Sequence, residues 1–392
     1  MKKQVYIIGA GMTEADLTAH AVQVLQAADC IVGAPRLLQP FREKKPCIKG
    51  YTAETVEKAL EQYDSAAVLV SGDVGFYSGA ASLYEKFPEA EVIPGISSVN
   101  AFFAACRLPW QEAALVSAHG KDCCPAESVR RNALTFFLTG GNIPQLAGAL
   151  SEAGFAELSV TAGENLGTRE QKLTECRVQD LLEGNRFASL TVLLVRNPHP
   201  DTRNRVGIAD SEFIRGEVPM TKSAVRAQIA SALQLSESSC CWDVGCGTGS
   251  VTVEMALAAH RGRVFACDLS EEAVKLTKQN CSRFHISNGS VQKGRAPDCL
   301  AELPAPDAVF IGGSSGSVKE ITEAALAKNP QAVIVVTAIA LETLQKGTEA
   351  MEELGLSPEV RQIFAAETKC AGKLHLLTGG NPTFIIRGKR EA

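Results

Sequence analysis

Cys241-Trp242-Asp243-Val244-Gly245-Cys246-Gly247-Thr248-Gly249-Ser250 contains a short apolar run, an aspartate, three alternate glycines and the start of a helix. The run before Gly245 has the length and composition of a buried strand. Val251–His260 has the composition of a helix. Glycines between them let the backbone turn tightly and approach a ligand at the strand's carboxyl end. The dinucleotide fingerprint is Gly-x-Gly-x-x-Gly, with a pyrophosphate on the helix N-terminus. Here the loop is Gly-x-Gly-x-Gly, and Asp243 precedes it. A carboxylate is poorly placed beside a pyrophosphate. It suits a ligand with an ammonium group and no phosphate, such as the methionine end of S-adenosylmethionine. Asp268 ends the next strand, 19 residues after Gly249, where its two oxygens can accept from both ribose hydroxyls. This conjunction points to a class I, Rossmann-like methyltransferase domain.

Working outward, strands are expected at Cys240–Val244, Arg263–Cys267, Ser290–Lys293, Ala308–Ile311 and Ala332–Val336. Leu374–Leu377 and Thr383–Ile386 flank Gly379-Gly380-Asn381-Pro382 and read as an antiparallel hairpin. Ala296 follows the third strand, where such folds seat adenine. Gly312, Gly313 and Ser314 follow the fourth and leave room for a bulky, flat substrate. Upstream, strands at Val5–Gly9, Ala67–Ser71, Glu91–Pro94, Ala113–Ala118, Thr135–Thr139, Leu158–Ala162 and Leu190–Arg196 alternate with helices at Leu17–Ala28, Thr52–Gln62 and Pro144–Ala153. That alternation is α/β layering. The polar stretch from Asn197 to Glu217 separates the halves. The expected division is residues 1–200, a linker over 201–216, and 217–392. No fixed-period repeat is visible.

Composition limits the rest. The chain has 392 residues, with 39 basic and 44 acidic side chains and a net charge of −5. The lack of a basic excess argues against a nucleic-acid partner. No apolar stretch approaches the ~20 residues of a membrane span. The N-terminus runs straight from two lysines into a short apolar segment, which reads as a first strand and not as a signal peptide. Thirteen cysteines show no Cys-x-x-Cys spacing. They fit reduced cytoplasmic thiols used as small core residues, with no metal site.

In the first half, Gly9-Ala10-Gly11 lacks the third glycine and the following acid of a dinucleotide site. Val70-Ser71-Gly72-Asp73-Val74-Gly75-Phe76-Tyr77, Pro94-Gly95-Ile96-Ser97-Ser98 and Glu164-Asn165-Leu166-Gly167 are strand-to-loop segments that expose backbone polar groups. With Ser117-Ala118-His119-Gly120, they resemble the tetrapyrrole (corrin) methylase family, in particular its carbon-5 methylating subgroup. Val218-Pro219-Met220-Thr221-Lys222 through Pro306-Asp307-Ala308-Val309-Phe310-Ile311-Gly312-Gly313 is similar to the carbon-15 methylating, decarboxylating methyltransferases of cobalamin biosynthesis. Together the two resemblances cover nearly the whole chain.

The resemblance implies a first domain of two α/β subdomains with a cleft, where Gly9, Gly11, Asp73, Phe76, Ser97, Ser98 and Leu166 hold S-adenosylmethionine. In the second domain it implies a site lined by Thr221, Asp243, Gly245, Cys246, Gly247, Thr248, Gly249, Asp268 and Ala296. The implied activity is methylation of carbons 5 and 15 of a precorrin or cobalt-precorrin, with loss of the ring C acetate carboxyl. The chain departs from the family pattern at Met12, at Val74, where proline is common, and at Arg295, where an acid is common. Lys222 and Arg226, at i and i+4, are candidates for substrate carboxylates, and His119 is a candidate in the first cleft. Each also has a structural reading, as a solvated pair or a hydrogen-bonded histidine. A small-molecule substrate and self-association into a homo-oligomer are expected. Two other readings fit the residues less well: a two-domain methyltransferase acting on another substrate, and a non-catalytic nucleotide sensor.

Overall fold

The computed structural model describes residues 3–118, 124–183, 187–201, 206–314 and 316–390. The chain forms two compact units. Met1–Lys121, Asn132–Gly148 and Glu157–His199 make the first; Asp122–Arg131, Ala149–Ala156 and Pro200–Ala392 make the second. No described helix is long and apolar enough to cross a membrane.

The first unit contains two five-stranded sheets. β1 (Gln4–Gly9), β2 (Cys30–Gly33), β3 (Cys47–Lys49), β4 (Ser65–Val70) and β5 (Glu91–Ile93) lie in the order β3-β2-β4-β1-β5, all parallel. β4 reads Ser-Ala-Ala-Val-Leu-Val because helices cover both of its faces, so alternation gives way to a continuous apolar run. The second sheet has the order β6-β7-β10-β8-β9, from β6 (Ala113–Ser117), β7 (Leu134–Leu138), β8 (Ser159–Glu164), β9 (Lys172–Arg177) and β10 (Thr191–Arg196). Only β6 and β7 pair in parallel there. Phe102, Phe103 and Phe136 form its aromatic core, with ring centroids 5.4–5.7 Å apart.

The loops after β1, β4 and β5 meet at one end of the first sheet. Gly11 and Gly72 exchange backbone hydrogen bonds of 3.0 and 3.1 Å. A β-carbon on Gly9 would lie 2.6 Å from the Gly95 nitrogen and 2.8 Å from the Gly72 oxygen. Three backbones therefore meet here, with no room for a side chain on Gly9 or Gly95.

The second unit is a seven-stranded sheet. β11 (Cys240–Val244), β12 (Arg263–Asp268), β13 (Gly289–Lys293), β14 (Ala308–Ile311), β15 (Val333–Ala338), β16 (Ser357–Ile363) and the final strand, Thr383–Lys389, belong to it. Between β16 and that final strand lie β17 (Ala366–Ala371) and β18 (Leu374–Gly379), so Thr383–Lys389 is β19. The sheet order is β13-β12-β11-β14-β15-β19-β16. β19 runs antiparallel to both neighbours. The strand order reverses between β11 and β14, which places a crevice over their carboxyl ends. The α/β class and both folds expected from the sequence are present.

Two local expectations need correction. Leu374–Leu377 and Thr383–Ile386 do not pair with each other. β18 pairs with β17, and β19 enters the main sheet between β15 and β16. The polar strands β16 and β17 carry too weak a pattern to announce themselves, so the hairpin was matched to the wrong partner. The stretch expected to be a linker over 201–216 is also partly core. Ile208 and Phe213 are buried against Leu257, Cys281 and Phe284. Two apolar anchors in a polar stretch are enough to dock it.

Gly9→Ala should destabilise the first unit by roughly 1–3 kcal/mol, because its methyl group meets backbone atoms that cannot rotate away. Thermal unfolding of the full chain checks this. An unchanged first transition would show that the three loops are not rigidly packed.

Candidate functional site

Each unit has a cavity at the carboxyl ends of its parallel strands. The cavity of the second unit is about 1170 Å³ and is lined by Thr221, Lys222, Gly245, Cys246, Gly247, Thr248, Asp268, Ala296, Gly312, Gly313 and Ser314, among others. The three loop glycines all have left-handed backbones, with φ of 74°, 56° and 75°. A β-carbon on Gly245 would lie 2.5 Å from Gly313, and one on Gly249 would lie 2.7 Å from Thr277. The loop thus needs glycine for its own packing as well as for a ligand. Gly249 is at the helix start, not on the cavity wall.

Asp268 is held from behind. Its Oδ2 accepts from the Gly247 N–H at 3.0 Å and its Oδ1 from the Ser270 N–H at 2.9 Å. Each oxygen keeps a lone pair for a further donor. The Thr248 hydroxyl is buried beside the loop and has no hydrogen-bond partner among the described residues. An oriented acid, an orphan hydroxyl and a cavity-facing backbone loop fit a ligand with ribose hydroxyls and a polar tail.

Asp243 is placed differently from expectation. It is fully buried and is not on the cavity wall. Its Oδ2 accepts from the Thr252 hydroxyl, while Oδ1 has no partner. Burial pushes its pKa up to about 7, and the Asp268 charge adds to the effect while the Thr252 hydrogen bond opposes it. The carboxylate underpins the glycine loop; it is not presented to the cavity.

Arg226 is also removed from the rim. Its side chain has no exposure. It donates to Glu254 Oε1 at 2.8 Å, to Asp210 Oδ1 at 2.9 Å, and to the carbonyls of Thr221 and Ile208. With two carboxylates and two carbonyls around it, the guanidinium serves the protein itself. Lys222 does line the cavity. It is half-exposed and pairs with Asp210 Oδ2 at 3.3 Å. No sequence signal showed that Glu254 and Asp210 converge on Arg226, because they lie 28 and 16 residues away.

The first unit's cavity, about 510 Å³, is lined by Asp73, Phe76, Ser97, Ser98 and Leu166 with Arg36, Tyr51, Tyr77, Thr139 and Thr191, among others. Asp73 ties two loops together: Oδ2 accepts from the Gly75 N–H at 2.8 Å and Oδ1 from the Gly95 N–H at 3.1 Å. Ser97 caps the helix Ser98–Cys106 by accepting from the Asn100 N–H. Leu166 is buried against Phe102 and Phe103, and Phe76 packs on the same cluster. The anchored acid, capped helix start and apolar wall fit a nucleoside. Gly9 and Gly11 do not line the cavity; they allow the backbone packing beneath it. His119 lies outside the described residues. Arg36 and Tyr51 were missed because single exposed residues carry no periodic signal, and Tyr77 was read only as part of its loop motif.

Because its folded pKa is raised, Asp243 contributes most to stability below its unfolded value of 3.8 and loses that contribution as pH rises through about 7. Asp243→Asn removes the titration. Its stability relative to wild type, without ligand, should therefore improve by on the order of 2 kcal/mol between pH 5 and pH 8. Urea unfolding at the two pH values measures this; a difference independent of pH would mean Asp243 is not buried as described.

Family comparisons agree with this two-unit arrangement. Residues 4–182 match the tetrapyrrole (corrin/porphyrin) methylases, and residues 212–387 match the precorrin methyltransferase domain. A Sinorhizobium precorrin-6Y C(5,15)-methyltransferase [decarboxylating] is 31% identical over 284 residues, covering 69% of this chain and 67% of that protein. A probable cobalt-precorrin-6B C(15)-methyltransferase (decarboxylating) of Pyrobaculum calidifontis is 44% identical over 183 residues, 46% of this chain and 94% of that protein. A solved precorrin-6y C5,15-methyltransferase from Geobacter metallireducens is 34% identical with a TM-score of 0.46, covering 48% of this chain and 97% of that one. With both family matches in chain order and a relative aligned across the two, this chain belongs to the precorrin-6Y C5,15-methyltransferase (decarboxylating) family of cobalamin biosynthesis.

Proposed function

We propose that the chain methylates carbons 5 and 15 of a precorrin-6 intermediate, or of its cobalt form, and removes the carboxyl group of the ring C acetate. The domain expected over residues 1–200, which makes up most of the first unit, carries out the carbon-5 step. The domain expected over 217–392 carries out the carbon-15 step and the decarboxylation, and 201–216 joins them while docking on the second unit. The observation that carries this division is the presence of a separate cavity in each unit, each with an aspartate oriented by two backbone N–H groups. Two methyl transfers need two donors, and two cavities supply a place for each.

When bound, S-adenosylmethionine supplies a methyl group activated by its sulfonium. In the second unit Asp268 takes the ribose hydroxyls, Gly245, Cys246 and Gly247 offer backbone groups, Thr248 offers its unpartnered hydroxyl, and Thr221 and Ala296 close the sides. In the first unit Ser97, Ser98, Phe76 and Leu166 form the seat over the loops that Asp73 ties together. An enamine carbon of the acceptor is already nucleophilic, so the chain mainly positions donor and acceptor in line. Gly312, Gly313 and Ser314 leave the flat ring room, and Lys222 takes one of its carboxylates. The ring itself accepts the electron pair released when carbon dioxide leaves, so the chain's part is to hold the arm. Arg226 positions Thr221 by donating to its carbonyl, and Lys222 through Asp210, which pairs with both cations.

Self-association of the chain is supported by the exposed leucines of β18, Leu374, Leu376 and Leu377. A cytoplasmic setting is supported by Cys30, Cys241, Cys246, Cys267 and Cys281, buried thiols that serve as core residues outside any disulfide.

The test is incubation of the full chain with S-adenosylmethionine and the precorrin, read by mass spectrometry. Wild type should add two methyl groups and lose carbon dioxide. Asp73→Asn should slow carbon-5 methylation by roughly 10-fold or more and leave carbon dioxide release intact, since a charge-assisted hydrogen bond is worth about 1.5–3 kcal/mol. Asp268→Ala should do the reverse. Both variants losing both activities equally would defeat the division between units.

A further inference from the structure

The cavity of the first unit has room for one cofactor-sized ligand. At about 510 Å³ it falls within the range of roughly 300–1,000 Å³ that suits a single small molecule. A tetrapyrrole of four linked rings with carboxylate arms cannot share that volume with a nucleoside. It must dock at the mouth, with only the reacting carbon reaching inward. The mouth therefore needs a flat apolar surface and at least one cation.

Arg36, Tyr51 and Tyr77 supply them, and the cofactor seat proposed above gives none of the three a role. Arg36 follows the carboxyl end of β2, at the start of the short helix Pro35–Leu38. It is the one cation among the described residues that line this cavity. Its guanidinium is exposed and steadied by the Ser71 hydroxyl at 2.5 Å, and none of the described ion pairs includes it. Most of its five donors remain for a ligand. Tyr51 is 48% exposed, and its ring lies against Gly79, where a β-carbon would sit 3.0 Å from two ring atoms. Tyr77 is 60% exposed and edge-on to Phe76, with ring centroids 5.0 Å apart. Its hydroxyl donates to the Leu115 carbonyl at 3.4 Å.

Tyr77 also has a left-handed backbone, with φ of 47°. That conformation costs free energy for a bulky residue and favours glycine. Keeping a large, exposed aromatic there, in a loop already rich in glycine, calls for a reason outside folding. We infer that Arg36, Tyr51 and Tyr77 form the docking ledge for the tetrapyrrole acceptor of the first unit. Arg36 takes a ring carboxylate in a planar, forked contact, and the two tyrosines face the flat ring. This rests on the carbon-5 activity proposed above and names the residues that recognise its acceptor.

The test uses the full chain, with carbon-15 methylation and carbon dioxide release in the same reaction as an internal reference. Arg36→Ala should raise the KM for the precorrin in carbon-5 methylation by roughly 10-fold or more, the loss expected for one charge-assisted contact. The first unit's affinity for S-adenosylmethionine should stay within about twofold of wild type, because Arg36 is at the rim. Arg36→Lys should recover part of the KM but not all of it, since lysine keeps the charge and loses the fork. Tyr77→Gly relieves the backbone strain, so it should raise the KM while leaving the melting temperature at or above wild type. A purely structural tyrosine would give the opposite pairing. If wild type methylates carbon 5 and Arg36→Ala does so with an unchanged KM, the ledge is wrong and the carbon-5 activity stands. If wild type never methylates carbon 5, the functional reading falls and the ledge falls with it.

Discussion

Both units depend on backbone meeting backbone where the parallel strands end. In the first, a β-carbon on Gly9 or Gly95 would collide with main-chain atoms of each other and of Gly72. In the second, Gly245 faces Gly313 in the same way. These contacts join loops from strands that are neighbours in the sheet but distant in sequence. They turn what would be separate turns into a continuous floor. Each cavity stands on such a floor, and each floor is tied by an aspartate: Asp73 bonds two backbone N–H groups in one unit, and Asp268 bonds two in the other. The acid thus orients loops first and remains available to a ligand second.

Beneath the second cavity lies a costlier arrangement. Arg226, Glu254 and Asp210 form a largely buried ion network that also holds the carbonyls of Thr221 and Ile208. Glu254 further accepts from the N–H groups of Gly207 and Ile208 at 3.0 and 3.1 Å. Burying such charges opposes folding unless every donor and acceptor is satisfied. Here the hydrogen bonds pin the segment entering the unit, the Thr221–Lys222 edge of the cavity and the helix after the glycine loop to one another. The segment before Ser223 is therefore part of the site's scaffold, which explains why a polar stretch contains the buried Ile208 and Phe213.

Much of the fold was legible because short-range pattern is enough for it. Ala308–Ile311 reads as four apolar residues and is a strand buried on both faces. The strands that escaped notice are those whose pattern is weak. Lys172–Arg177 is a polar edge strand, and Ala366–Ala371 is exposed throughout. Without β17 in view, β18 was paired with β19. For the sites, Asp268, Asp73, Ser97 and Thr221 line the two cavities; Asp268 is legible from its strand end, the other three only from the resemblance. Asp243 and Arg226 were expected to face a ligand and instead lie buried, one under the loop and one under the rim.

The sequence by itself determined which strongly apolar segments form strands, where glycine must stand, and that the two halves differ in kind. Those properties follow from spacing within about twenty residues. Only the tertiary structure decided which loops touch, which acids face a cavity, and whether a cation is spent on the protein or left for a substrate. A charged side chain has the same letter in either case. Its partners come from strand order and helix packing, and for Arg226 those partners are 16 and 28 residues away. At such separations no local pattern records who meets whom, because the closeness is created by the sheet.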